Sequence, residues 1–77
     1  MSATRALACL QAHMRPRWGS AAIADLYAAQ LLRAARATRT PHALEAPLDG
    51  ARVTITPYRV LWLLPRFSVT ITPARAR

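Results

Sequence analysis

The sequence contains no lysine and no asparagine, one cysteine (Cys9), two glycines (Gly19 and Gly50) and three acidic residues, Asp25, Glu45 and Asp49. Each shortage closes off a class of protein. A lone cysteine excludes an intramolecular disulfide and a cysteine-built zinc site. Two isolated glycines leave no glycine-rich loop to cradle a nucleotide phosphate. Three scattered acids supply no pair of carboxylates at a spacing that acid–base chemistry uses. No apolar run approaches the roughly 18 residues of a membrane span; the longest, 60–64, has five. Ser20, His42 and Asp49 match a nucleophilic triad by residue type alone, and a chain this short offers little core to hold such geometry. The chain is therefore read as non-enzymatic, with no cofactor, no metal and no small-molecule substrate.

Arginine and alanine are what the chain has in excess. All 11 basic residues are arginine, and the net charge is +8. Guanidinium groups suit bidentate phosphate contact better than ammonium groups do, which points to an anionic partner. The same bias, with lysine and asparagine missing and alanine abundant, also fits a GC-rich reading frame whose product has no selected function. A hydrophobic content of 53% is high for a disordered chain. Seventy-seven residues make one domain at most, close to the size at which a core needs help from a partner.

Residues 1–19 carry Arg5, Arg15 and Arg17 and no acid. With alanine, serine and threonine around them, they have the composition of a mitochondrial or plastid transit peptide rather than a secretory signal. Ala3, Leu7, Leu10 and Met14 share one helical face. Ser2 or Thr4 is the expected cap, and Pro16 the expected stop. Cys9 and His13, four apart, would also share a face. His42 and Glu45 are the nearest further ligands and lie beyond Pro41, so the pair reads as a half-buried thiol and a surface histidine.

A linker over 15–20 leads to an amphipathic helix over 20–39, capped by Ser20. Ile23, Leu26, Tyr27, Leu31, Ala34 and Ala35 are expected on its core side. Asp25, Arg33, Arg36 and Arg39 are expected on the other, with Leu32 out of place. The acid early and the arginines late complement the helix dipole. That stripe is either a phosphate-binding surface or a solvated face, and no aromatic neighbour offers a base-stacking platform. Residues 40–49 read as a connector, punctuated by Pro41 and Pro47 and closed by an Asp49–Gly50 turn.

The last third is an internal repeat. Val53-Thr54-Ile55-Thr56-Pro57 recurs as Val69-Thr70-Ile71-Thr72-Pro73, with Pro65 midway. The octads 50–57, 58–65 and 66–73 predict a three-stranded antiparallel meander, followed by a basic tail. Alternation places Val53 and Ile55, and likewise Phe67, Val69 and Ile71, on one face, with threonines, Ser68 and arginines on the other. The middle octad is apolar on both faces, so the sheet would need a second cover and the chain would be stable only against a partner.

The expectation is thus an α+β fold, one or two helices followed by a small meander. The functional expectation is an accessory subunit of a larger mitochondrial assembly, first a ribosome-type ribonucleoprotein. Phosphate contacts would come from Arg33, Arg36, Arg39, Arg52, Arg59, Arg66, Arg75 and Arg77. Val60, Trp62, Leu64 and Phe67 would dock on a neighbouring protein. The alternative is an accessory subunit of a mitochondrial membrane complex, with residues 58–67 against membrane-embedded partners.

Overall fold

Ser2 opens the first helix. Its backbone is extended, at φ −64° and ψ 166°, and its hydroxyl accepts the Arg5 amide at 3.2 Å, which satisfies one of the free first-turn donors. Helix α1 (Ala3–Trp18) runs on through Pro16 and ends at Gly19, whose φ of 76° suits a residue without a Cβ. Pro16 therefore does not stop the helix, and the linker shrinks to Gly19 and Ser20. The proline removes one late donor, that to the Ala12 carbonyl, and both residues are exposed, so water can replace it. The next carbonyl, that of His13, accepts from Arg17 Nη1 at 2.8 Å. The computed structural model describes residues 1–61 and 64–74.

Ser20 caps helix α2 (Ala21–Thr38) by accepting the Ile23 amide at 3.3 Å. Arg39 closes it in the left-handed region at φ 56°, its N–H donating to the Ala35 carbonyl at 2.9 Å. The buried stripe is Ala24, Ala28, Leu31 and Ala35. This turns the expected face: Ile23, Leu26 and Tyr27 are 48%, 58% and 38% exposed, while Leu32 is half-buried against the core. The facing stripe on α1 is Ala6, Leu10 and Met14. Alanine on the inner side lets helices and sheet approach closely, and dense packing outweighs the burial of larger side chains that fit no space.

Strands β1 (His42–Glu45), β2 (Arg52–Tyr58) and β3 (Arg66–Thr72) form one antiparallel sheet in the order β1-β2-β3. The α+β fold with a three-stranded meander is present, but its strands are not the three octads. β1 lies in the expected connector, paired from His42↔Ile55 to Glu45↔Arg52. The intervening turn is fixed by Gly50 at φ 72°, by an Asp49 Oδ1 that accepts the Ala51 amide at 2.9 Å, and by Ala46 N–H donating to the Ala51 carbonyl at 2.7 Å. The two Val-Thr-Ile-Thr copies pair with each other: Val53↔Ile71, Thr54↔Thr70 and Ile55↔Val69.

The middle octad is not the central strand. Its described residues beyond Tyr58 belong to the β2–β3 connection, with Leu61 in the left-handed region at φ 55°; Trp62 and Leu63 lie outside the described residues. The octad boundaries have no residue suited to a tight hairpin, so one long connection replaces two turns. β2 is the central strand in consequence. Its Val53 and Ile55, with Phe67 of β3, are buried beneath the helices, while Thr54 and Thr56 on its other face remain partly accessible. The expectation of a second cover rested on an apolar central strand, and the outer face of β2 carries threonines instead.

Residue Met1 is tied to β3. Its carbonyl accepts the Phe67 amide at 2.7 Å, and its ammonium group donates to the Phe67 carbonyl at 2.6 Å and the Tyr58 hydroxyl at 3.1 Å. Helix α1 gives the core Ala6, Leu10 and Met14, all at 0% exposure.

Candidate functional site

Among the described residues, charge is sorted between the two ends of the sheet. At the end holding the α1–α2 corner and the β1–β2 turn, Arg15 donates through Nε (2.9 Å) and Nη2 (2.8 Å) to the two carboxylate oxygens of Asp25. Hydrogen bonding from Arg15 holds the Asp25 carboxyl below its ordinary range, against an opposing push from desolvation, and the same contact raises Arg15. Arg17 Nε lies 3.1 Å from Asp49 Oδ2 and is buried without alignment for a hydrogen bond, so that contact is Coulombic. Glu45 faces Arg52 across the β1–β2 ladder. All three acids of the chain are gathered here with three arginines.

The other end has arginines and no acid. Successive spacings of three carry Arg33, Arg36 and Arg39 in a slanting row along the last turns of α2. The same end of the sheet carries Tyr58 and Arg59 as β2 finishes and Arg66 as β3 begins. Arg36, Arg39, Tyr58 and Arg59 surround a hollow of about 380 Å³ floored by Ala35 and Phe67. Arg36 also borders an adjoining hollow of about 150 Å³, with Ser2, Leu64 and Arg66. Neither is lined by a carboxylate, and among the described residues no ion pair involves Arg33, Arg36, Arg39, Arg59 or Arg66.

Of the arginines expected from the sequence, Arg36, Arg39, Arg59 and Arg66 line these two hollows, and Arg33 lies one turn earlier on α2, outside both. Arg52 does not join them; it stands at the opposite end of β2. Arg75 and Arg77 lie outside the described residues, as does Trp62. Val60 and Leu64 are exposed, whereas Phe67 is 1% exposed and belongs to the core. The alternation that placed Phe67 with Val69 and Ile71 already marked it as an inward residue. Two further residues join the site. Leu61, expected in a strand, is 79% exposed. Tyr58 lines the larger hollow, and its hydroxyl accepts from the Met1 ammonium group. The signal for Leu61 was the bracketing of an apolar run by Arg59 and Arg66, and Tyr58 stands just before that bracket.

Catalytic geometry is not assembled from the triad types. The Ser20 hydroxyl caps α2, His42 Nε2 contacts the Thr38 hydroxyl at 2.8 Å, and Asp49 holds the β1–β2 turn. Cys9 and His13 are half-buried on α1, and among the described residues no three histidine, cysteine or acidic side chains come together as a metal site. Taken as a class, this is a small basic two-layer α+β chain with an arginine-lined end. The chain matches no protein-family model, no curated protein sequence and no solved structure.

Proposed function

We propose that the chain is a small, non-enzymatic accessory subunit that docks on the phosphate groups of a larger assembly. The observation that carries this reading is the convergence of Arg36, Arg39 and Arg59 on one hollow without a carboxylate among its lining residues. Clustered like charges repel one another, and an oxyanion that accepts several guanidinium hydrogen bonds offsets that repulsion. Agreement between caps, alternation and turn chemistry favours a selected sequence over the product of an unselected reading frame. The organellar address rests on the acid-poor, arginine-bearing composition of residues 1–19, with α1 retained as part of the folded protein.

Two phosphate carriers fit. RNA in a ribosome-type particle is supported by the number and exposure of the arginines. A membrane complex is supported by one specific feature, the apolar β2–β3 connection on the rim of the same hollows. The test is binding of the purified full chain to a single-stranded RNA homopolymer and to heparin across a salt series. Engagement of three or four arginines gives a log–log slope of about −2 to −3 on single strands. The combined Arg36→Gln, Arg39→Gln and Arg59→Gln variant should flatten that slope, and Arg52→Gln should leave most of it. Binding that ignores salt, or equal losses from Arg52→Gln and Arg36→Gln, removes the reading.

A further inference from the structure

Among the described residues, the β2–β3 connection sets large apolar side chains in water beside the least compensated positive charge in the molecule. Leu61 and Leu64 are 79% and 83% exposed, and Val60 is 41% exposed. Arg59 and Arg66 bracket them in the sequence, and Leu64 shares a hollow with Arg36 and Arg66. Leu61 is also one of two described residues other than glycine at positive φ; the other, Arg39, is the helix C-cap. A leucine in the left-handed region is strained, and leaving it in solvent adds unfavourable hydration of its apolar surface. The base of the connection is nevertheless fixed, since Phe67 is buried and its amide and carbonyl are both bonded to Met1.

We propose that this connection is a membrane-interface anchor: Val60, Leu61 and Leu64 enter the acyl boundary of an anionic bilayer while Arg36, Arg39, Arg59 and Arg66 hold its headgroup phosphates. The proposal rests on the phosphate-docking reading and names the carrier. RNA satisfies the guanidinium groups but gives the leucines no apolar environment. A bilayer supplies both within the roughly 5–10 Å depth of its interface, and arginine stems can lie along apolar surface while their heads stay among phosphates. The attachment is to one face of the membrane, since among the described residues no helix is long and apolar enough to cross. The site is defined without Trp62 and Leu63.

The experiment compares flotation of the full chain with phosphatidylcholine vesicles and with vesicles that also contain phosphatidylglycerol. The Leu61→Asn, Leu64→Gln variant is the main probe, because asparagine accepts the left-handed region and the change touches no core residue. The expected result is selective binding to the anionic vesicles. It should fall about tenfold or more in this variant, with the salt slope on RNA unchanged. Removing Arg36 and Arg59 together should weaken both kinds of binding, by about fivefold per arginine on vesicles. Vesicle binding that is absent, or equal in the leucine variant and the parent, overturns the anchor. If salt-dependent RNA binding persists in that case, the phosphate-docking reading survives with RNA as its carrier. Failure to bind either carrier overturns both readings. A thermal melt of the variant at or above that of the parent shows that lost binding is not lost folding. Leu64→Gln alone provides the same comparison if the double variant melts lower.

Discussion

Pro57 stands directly opposite Phe67 in the β2–β3 ladder, at a position where neither residue turns its peptide groups toward the other. The register pairs them, and the Phe67 amide and carbonyl are both engaged by Met1 on the outer side of β3. In an antiparallel ladder such a pair is non-hydrogen-bonded, so the Pro57 nitrogen faces the β1 side of β2. β1 ends at the His42↔Ile55 pair, and a missing donor there breaks no ladder bond.

The ladder parity makes a prediction. Pro57→Ala should change stability by less than about 1 kcal/mol, mainly through the unfolded chain. Thr56→Pro, one residue earlier at the hydrogen-bonded Thr56↔Ser68 pair, should cost about 3 kcal/mol or more. Urea midpoints for the two variants check this. Equal effects would mean that the parity is assigned wrongly.

The rotation of α2 is testable by adding rather than removing atoms. Ala28 is fully buried and Leu26 is 58% exposed. Ala28→Leu should destabilise by about 1–3 kcal/mol through overpacking, while Leu26→Ala should stay within about 0.5 kcal/mol. The amphipathic face expected from the large residues alone predicts the reverse order, and thermal unfolding of the pair decides between them.

The Arg15–Asp25 contact sets a pH dependence. Because the Asp25 carboxyl is held below its ordinary range by the Arg15 hydrogen bonds, its contribution is complete above the usual carboxylate pKa. It is lost as pH falls through the depressed folded value. Asp25→Asn should therefore melt slightly below the parent near neutral pH, and the two curves should converge on acidification. Both side chains are substantially exposed, at 50% and 35%, so the difference should also shrink in high salt.

Stability and binding should part at Arg39. Its φ of 56° as the α2 C-cap favours glycine. Arg39→Gly is expected to stabilise the chain by up to about 1 kcal/mol while weakening salt-dependent anion binding. A variant that melts higher and binds RNA or anionic vesicles less well is the expected outcome. A lower melting temperature would place the guanidinium in a structural role.

Where the sequence spoke through local chemistry, it was legible. Ser2 and Ser20 announced two helix starts by side-chain hydrogen bonding, and alternation in both Val-Thr-Ile-Thr copies fixed which residues point inward. The divergences have a common physical origin. Alanine carries little hydrophobic signal, so the inner face of α2 was hidden behind Ile23, Leu26 and Tyr27. His-Ala-Leu-Glu has no marked strand preference of its own, and β1 exists because the backbone of β2 offers it a partner. A continuous apolar run such as 60–64 is compatible with a doubly buried strand or with a connection between strands. Periodicity alone does not distinguish them. The arginine cluster was legible as a stripe on one helix. Its completion by Arg59 and Arg66 required the repeat to fold back on itself.

Among the described residues, carboxylates gather at one end of the sheet and arginines without an ion pair at the other, and this distribution has a direction. Near any negatively charged surface the field exerts a torque before contact and turns the arginine end forward, so productive orientation need not await random collision. Arrival would then be governed by ionic strength and departure by the exposed leucines. Screening slows the first within a Debye length of about 8 Å at physiological salt, and burial of apolar side chains prolongs the second. Substitutions at the arginines and at the leucines should thus appear in different rate constants of the same binding reaction.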